Sequence, residues 1–169
     1  YYSGRRLELK LFVFGYFGRH NLGDEAILHS FLNWMRGRFP GSEFKVLTAD
    51  PEWTAERYGV GAVPKMSLKG IAGAVRWCDG VVAPGGGIFQ DSTSSRSVIY
   101  YLFLLILARL CGKPVFMVSQ GVGPLARKWV RKLVGWGLAK CVTRLWVRDE
   151  QALDFVHGMG LDGLKYGLG

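Results

Sequence analysis

The sequence predicts an α/β protein built on a doubly wound, mostly parallel, Rossmann-like sheet. Apolar stretches typical of strands alternate with helical stretches along the 169 residues, and the connections are long enough for right-handed crossovers between parallel strands. The loops of unusual composition all follow predicted strands. Ligands of such sheets bind beyond the carboxyl ends of the strands, where the strand order reverses, so these loops form the candidate site.

Each element is justified by its local pattern. The apolar stretch at 7–16 predicts the first strand, with Gly15 as its break. Apolar residues then recur at helical spacing from Asp24 to Arg38, before Phe-Pro-Gly ends the helix. We expect the later strands at 43–49, within 79–87, at 113–121, at 143–149 and within 163–169, and the later helices at about 67–77, 98–108, 125–140 and 150–158.

Length and composition bound the organisation of the chain. A chain of this length usually forms about one domain, and a hydrophobic content of 49% suffices for a buried core. Because the chain starts with Tyr1 and ends in what reads as an unfinished loop, we expect residues 1–169 to be one half of a larger protein. The apolar run at 98–108 is well short of the roughly 20 residues that span a bilayer, and it predicts a fully buried crossover helix.

The cysteines and the motif content favour a reduced protein without metal. Cys78, Cys111 and Cys141 lie far apart, mostly in apolar surroundings, which argues against a disulfide framework and against a zinc site. Reduced thiols, together with an N-terminal stretch that lacks a signal-peptide pattern, indicate a cytoplasmic location. The sequence contains no HExxH motif and no carboxylate-rich cluster, so we expect neither a metal nor a cofactor.

The net charge of +9 is concentrated in one region. Between Asp91 and Asp149 there are ten basic residues and no acidic one, whereas the rest of the chain is nearly neutral. This asymmetry indicates an anionic partner. The helix at 125–140 alternates basic residues with apolar ones, which fits a solvated face above core residues but also peripheral contact with an anionic membrane. Nucleic acid is disfavoured because no recognised motif accompanies the charge.

The first unusual loop, Gly-Tyr-Phe-Gly-Arg-His-Asn-Leu-Gly-Asp-Glu at 15–25, has two readings. Either Asn21 or Asp24 caps a helix after a left-handed turn at Gly18, or the amides of the loop and the helix N-terminus bind an anion. Its spacing matches neither the dinucleotide fingerprint nor a phosphate-binding P-loop. The residues that we expect to touch ligand here are Gly15, Gly18, His20, Asn21 and Gly23.

Three further loops complete the predicted site: the second at 84–91 (PGGGIFQD), the third at 119–124 (SQGVGP) and the fourth at 147–150 (VRDE). Three successive glycines leave backbone amides open to a ligand, and Arg148 is suited to grip a carboxylate or phosphate. A flexible glycine turn and an ion pair between Arg148 and Asp149 are the alternatives. The candidate ligand-binding residues in these loops are Gly85, Gly86, Gly87, Gln90, Asp91, Gln120, Gly121 and Arg148.

In this order, the four loops resemble those of the polysaccharide pyruvyltransferase family. The resemblance runs from about residue 11 to 160 through GYFGRHNLGDEAIL, APGGGIFQDSTSSRSVIYYL, SQGVGPL and VRD. It implies one Rossmann-like half of a GT-B-like enzyme that transfers the enolpyruvyl unit of phosphoenolpyruvate to a sugar hydroxyl, forming a pyruvate ketal. The implied acceptors are cell-wall or exopolysaccharide sugars, often lipid-linked, and some of the ketals anchor S-layer proteins.

The resemblance also implies roles for individual residues. The chain corresponds to the N-terminal domain, so the C-terminal domain with its catalytic histidine is absent and the chain alone is expected to be inactive. Asp24 is the candidate base or acceptor contact, and the missing histidine the candidate acid. Ala152 departs from the family, which tends to have serine there. The alternatives are a GT-B-type glycosyltransferase that uses a nucleotide sugar and a non-catalytic sugar- or anion-binding module.

Overall fold

Strands and helices alternate in the computed structural model, which describes residues 8–89, 95–123, 125, 127–161 and 163–169. The strands are β1 (Lys10–Phe17), β2 (Glu43–Thr48), β3 (Gly61–Pro64), β4 (Gly80–Ala83), β5 (Gly86–Phe89), β6 (Val115–Val122), β7 (Arg144–Val147) and β8 (Lys165–Leu168). The helices are α1 (Leu22–Arg38), α2 (Pro51–Tyr58), α3 (Leu68–Trp77), α4 (Ser95–Leu110), α5 (Lys128–Cys141) and α6 (Glu150–His157).

The strands form one sheet in which every described pairing is parallel. Its order is β3-β2-β1-β4-β6-β7-β8, with β5 also paired to β6. The chain builds outward from β1 in one direction through β2 and β3, and then returns to build outward in the other through β4. The order therefore reverses between β1 and β4, which confirms the predicted doubly wound α/β fold.

The period-two alternation of β1 divides the core between the two faces of the sheet. Leu11 and Val13 pack in a cluster with α1 and α2. Phe12 and Phe14 belong to a larger cluster on the opposite face, which contains the buried side chains of α3, α4, α5 and α6. Both faces of the central strands are thus covered by helices, as a parallel sheet requires.

Helix α2 and strand β3 escaped the sequence prediction because they are short. Helix α2 has eight residues, yet its signals are complete: the Asp50 carboxylate accepts a hydrogen bond from the amide of Trp53, Pro51 opens the helix, and Gly59 ends it with φ +61°. Strand β3 has only four residues, and it follows α2 directly. Together they bring Lys65 to the same sheet edge as the predicted loops.

Three expectations about individual segments were wrong. The first strand does not break at Gly15, which lies inside β1; the break comes at Gly18, with φ +72°. The glycines at 85–87 do not form a bare loop, because Gly86 starts strand β5, paired to β6 at Gln120. Helix α4 is not fully buried, since Ile99, Phe103 and Leu110 are exposed.

The remaining structural predictions concern the cysteines and the membrane. Cys78 and Cys141 are buried, Cys111 is half-buried, and all three are free thiols. Burial raises the pKa of the Cys78 and Cys141 thiols, which keeps them protonated and unreactive. In the described part of the chain, no helix is long and apolar enough to cross a membrane.

Candidate functional site

The sheet brings the unusual loops together at one edge. An added Cβ on Gly86 would lie 3.4 Å from the Asp24 carboxylate, and one on Gly85 would lie 3.0 Å from Ile27. The start of α1 therefore sits directly against the glycine segment after β4. Further along the edge, the amide of Arg148 donates to the carbonyl of Gln120 at 3.0 Å, which joins the third loop to the fourth.

The first loop is held closed by its own side chains. Asn21 is the helix cap, because its side-chain oxygen accepts a hydrogen bond from the amide of Gly23 at 3.1 Å. The amide of Gly18 donates to the Glu25 carboxylate at 2.8 Å, and the Tyr58 hydroxyl donates to the other oxygen of the same carboxylate at 2.8 Å. Two of the amides that we expected to meet ligand are thus already used inside the loop.

His20 is fixed by the unpredicted helix α2. Its backbone adopts a left-handed conformation with φ +57°, which is uncommon for a residue other than glycine. The ring packs edge-on against Trp53 with 4.8 Å between centroids, and Nε2 lies 3.6 Å from the Asp50 carboxylate. These contacts keep the exposed imidazole at the mouth of the first loop.

Asp24 lies where the first loop meets the glycine segment. Its carboxylate faces Gly86 and is half-buried. Burial raises the pKa of Asp24, the neighbouring Glu25 carboxylate raises it further, and the Lys65 ammonium opposes both. A carboxylate with a raised pKa at a ligand edge is suited to accept a proton from a hydroxyl group.

Beside Asp24 lies a cationic depression that we call the basic cleft. Its volume is about 480 Å³, within the usual range for small-molecule sites of about 300–1,000 Å³. It is bounded by the ends of β1, β2 and β3 and by the start of α4. The lining residues are Tyr16, Arg19, Ala49, Pro64, Lys65, Met66, Arg96, Ser97, Tyr100 and Tyr101.

Lys65 is the most perturbed cation of the basic cleft. Burial lowers its pKa to about 8, the Arg19 guanidinium lowers it too, and the carboxylates of Asp24 and Glu25 partly offset the shift. Its ammonium also lies 4.9 Å above the Tyr16 ring. A half-buried ammonium beside an exposed guanidinium is stabilised by a bound anion, so the cleft is suited to a negatively charged ligand.

Two tyrosines from α4 build the wall of the basic cleft. The Tyr100 hydroxyl donates to the carbonyl of Lys65 at 2.8 Å, and the buried Tyr101 hydroxyl donates to the carbonyl of Gly15 at 3.0 Å. Burial raises the pKa of both phenols, that of Tyr100 to about 12, so both remain protonated donors. Gly15 is needed for packing rather than for ligand contact, since an added Cβ would come within 2.6 Å of the Phe17 ring.

The cations of the basic cleft were missed from the sequence. Arg19 stands inside the first unusual loop, but attention to its glycines left it unassigned. Arg96 follows the glycine segment at the start of α4, and Lys65 follows β3. A basic residue just after the end of a strand is the signal that could have found Arg19 and Lys65, but β3 had to be recognised first.

The third and fourth loops form a smaller cleft of about 300 Å³, lined in part by Gly121, Arg148 and Ala152. Gln120 does not line it: the side chain is fully buried, and its amide nitrogen donates to the carbonyls of Ala83 and Val118 at 3.0 and 3.2 Å. Contrary to expectation, Gln120 lies under the loops, where it ties β4 to β6. Gly121 is also buried.

Arg148 is engaged by its neighbour. Its Nε lies 3.0 Å from the Asp149 carboxylate, which is the ion pair considered from sequence. Asp149 also caps α6 by accepting from the amide of Ala152 at 2.8 Å. That hydrogen bond first, and then Arg148, lower the pKa of Asp149.

The remaining predictions concern other residues of the second loop and metal binding. Gly87 is exposed within β5, while Gln90 and Asp91 lie outside the described residues. Across the part of the chain that the structure describes, no group of three His, Cys, Asp or Glu side chains is arranged to hold a metal ion.

Comparison with known proteins supports the loop pattern. The profile of the family described as polysaccharide pyruvyl transferase matches residues 21–169, whereas a search of curated proteins gave no significant match. Among solved structures, Anabaena Alr3699/HepE in complex with UDP-glucose is similar with a TM-score of 0.60 and 12% identity, over 94% of this chain and 43% of that one. The same protein in complex with UDP gives a TM-score of 0.59, 10% identity and the same coverage. This chain therefore spans less than half the length of these structural relatives.

Proposed function

The chain belongs to the polysaccharide pyruvyl transferase family, and from this premise we propose that it is the N-terminal half of a ketal pyruvyltransferase. The donor is phosphoenolpyruvate, and the acceptor is a sugar of a cell-wall or exopolysaccharide precursor. We place the enzyme in the cytoplasm at the inner face of the plasma membrane, where a lipid-linked acceptor would be presented. Anchoring of S-layer proteins is one use of such a ketal.

The observation that carries the proposal is the basic cleft beside Asp24. Phosphoenolpyruvate has a phosphate and a carboxylate at opposite ends of a small molecule, so a site for it needs cations in more than one direction. Arg19 and Lys65 supply two of them from different strand ends, and Arg96 adds a third from α4. Bidentate guanidinium groups suit both anionic ends.

The reaction divides the chemistry between binding and proton transfer. A first sugar hydroxyl bonds to the central carbon of phosphoenolpyruvate and loses its proton to a base. At the same time, the methylene carbon gains a proton from an acid. Phosphate then leaves with the electron pair of its C–O bond, and a second hydroxyl bonds to the same carbon and loses its proton. Asp24 is the base in this proposal, and the cations neutralise the departing phosphate.

The proposal assigns the acid to a second domain. The residues that line the basic cleft offer cations and phenols, the Asp24 carboxylate lies beside the cleft, and the phenols hold their protons too tightly for an efficient acid. A histidine from a second Rossmann-like half, facing this sheet edge in a GT-B-like arrangement, would supply the proton. The 169-residue chain by itself is then expected to bind donor without turning it over.

Thermal-shift titration of the 169-residue chain tests donor binding. We expect phosphoenolpyruvate to raise Tm and UDP-glucose to leave it unchanged, because the proposal assigns the cations of the cleft to the phosphate and carboxylate of the small donor. Arg19→Gln and Lys65→Gln should abolish the shift. Lys69→Gln, which removes an exposed lysine of α3, is the control and should retain it. A shift with inorganic phosphate equal to that with phosphoenolpyruvate would refute recognition of the carboxylate end.

A nucleotide-sugar transferase is the second candidate, because the similar structures hold UDP-glucose and UDP. Stabilisation by UDP-glucose but not by phosphoenolpyruvate would establish it and refute the first. A non-catalytic binding module is the third: full-length protein would then bind phosphoenolpyruvate yet release no phosphate when acceptor is added. In the full-length enzyme, Asp24→Asn should lower kcat by about 10²–10⁴-fold if Asp24 is the base.

A further inference from the structure

Helices α4 and α5 pack side by side and present one continuous outer surface, which we call the α4–α5 face. Gly137 allows the close approach, because a Cβ added there would overlap the side chain of Leu102. At the other end of the contact, Nε of Arg109 donates to the carbonyl of Lys140 at 3.2 Å. The two helices are therefore coupled along their length.

The α4–α5 face exposes more apolar side chain than a solvated helix pair requires. On α4, Ile99, Phe103 and Leu110 are spaced four and seven residues apart, which places them on one side of the helix, and Leu110 is 79% exposed. On α5, Trp129 and Trp136 are 51% and 50% exposed. Tryptophan, whose side chain combines an apolar ring system with a polar N–H group, is enriched at membrane–water interfaces.

The same face is strongly cationic. A groove of about 590 Å³ runs along α5 between its lysines and the end of α6, and a second of about 370 Å³ lies between α4 and α5. No acidic residue occurs in the sequence between Asp91 and Asp149, the stretch that contains both helices. The cations that line the two grooves are Arg109, Lys128, Arg131, Lys132 and Lys140.

We propose that the α4–α5 face docks on the surface of an anionic membrane. Lysine and arginine at the rim match phosphate headgroups, while the indoles and Leu110 enter the boundary between headgroups and acyl chains. Nucleic acid would use the cations but leave the exposed Leu110 and Phe103 without a partner. The argument uses only charge and exposure, so it is independent of the reaction proposed above.

Docking in this way would also place the basic cleft near lipid. Arg96 at the start of α4 lines the cleft, and the rest of α4 carries the apolar stripe along the membrane. The ligand edge of the sheet would then open at the level of the headgroups. A lipid-linked sugar could reach the basic cleft there without leaving the bilayer.

Vesicle flotation of the 169-residue chain tests the charge component. We expect binding to vesicles of phosphatidylcholine with phosphatidylglycerol at low salt and none to phosphatidylcholine alone. Lys132→Gln/Lys140→Gln should weaken binding about 25-fold, because each basic residue near an anionic surface contributes about fivefold. The matched control is Arg38→Gln/Arg57→Gln, which removes two exposed charges from the ends of α1 and α2 on the other face of the sheet and should bind normally.

A second pair of variants tests the apolar component. Leu110→Gln/Trp129→Gln should weaken binding to the same vesicles about tenfold or more, whereas Trp34→Gln/Leu68→Gln, which removes equally exposed side chains elsewhere, should not. The proposal is overturned if the chain does not float with anionic vesicles, or if each control pair loses as much binding as its test pair. Tight binding of a single-stranded oligonucleotide that is lost in Lys132→Gln/Lys140→Gln, without any vesicle binding, would reassign the face to nucleic acid.

Discussion

Replacing Lys65 by methionine should stabilise the chain while destroying its anion site. Burial lowers the pKa of Lys65 from 10.5 to about 8, so the protonated side chain disfavours the folded state at neutral pH. A difference of that size corresponds to at most about 3.4 kcal/mol, and solvent access to the half-buried side chain reduces this to about 1–2 kcal/mol. Methionine keeps most of the apolar stem and removes the charge.

The sign of the effect with pH follows from the direction of the shift. Because the pKa is lower in the folded than in the unfolded chain, the destabilisation by Lys65 is complete below pH 8 and is relieved as pH rises towards 10.5. Lys65→Met should therefore raise Tm at pH 7 by about 2–8 °C and have a much smaller effect at pH 10. Chemical denaturation at the two pH values measures the free energies of unfolding directly.

Donor binding gives the complementary measurement. Bound phosphoenolpyruvate, whose phosphate and carboxylate are both ionised, raises the pKa of Lys65 back towards its usual value, so binding at pH 8.5 should take up protons in the wild-type chain and not in Lys65→Met. Calorimetry in two buffers of different ionisation enthalpy detects this uptake. The reasoning is refuted if Lys65→Met lowers stability at pH 7, or if it changes stability equally at both pH values.

Three further changes test the architecture by thermal or chemical denaturation. Gly18→Ala should cost about 2 kcal/mol or more, because φ is +72° and the new Cβ would overlap the Thr48 hydroxyl; Gly73→Ala in α3, where nothing lies within 4 Å, should be neutral or stabilising, and equal effects would contradict this account. Asn21→Ala should cost about 1 kcal/mol by removing the cap of α1, whereas no change in stability would show that the cap is dispensable. Leu105→Ala should cost about 2–5 kcal/mol, since this side chain of α4 is fully buried, and a loss below 1 kcal/mol would place it outside the core.

The fold was predictable from sequence because its signals are local. Alternating apolar runs located β1, β2 and β6, and helical spacing located α1 to within two residues. Helix α2 and strand β3 were missed because they are short, whereas strand β5 was missed because it is decided by pairing at a distance. Strand β5 contains two glycines and has no strand signal of its own; it exists because it continues β4 along β6, from Gly86 opposite Gln120 to Phe89 opposite Val122.

The candidate site was predictable only in its position on the sheet. Glycines mark where the backbone turns, so they located the edge at which the loops gather. They did not reveal which groups would face a ligand, because capping and packing use the same residues: Gly18 is committed to Glu25 and Gln120 is buried beneath the loops. The cations of the basic cleft come from three separate segments, and only the sheet order brings Arg19 and Lys65 together.

The electrostatics of the basic cleft bear on where the catalytic acid must come from. Among the cations of the basic cleft, Lys65 has the pKa closest to neutral pH, at about 8. It is therefore the best proton donor in the cleft when no ligand is bound. Bound phosphoenolpyruvate would raise that pKa and make Lys65 a poorer acid at the moment when a proton is needed. The proposed reaction therefore needs a separate acid, and in full-length enzyme the pH profile of kcat should keep the limb due to a histidine near pH 6.5 when Lys65 is changed to Arg, which retains the cation but cannot supply the proton. Loss of that limb in Lys65→Arg would instead make Lys65 the acid and remove the need for a histidine from a second domain.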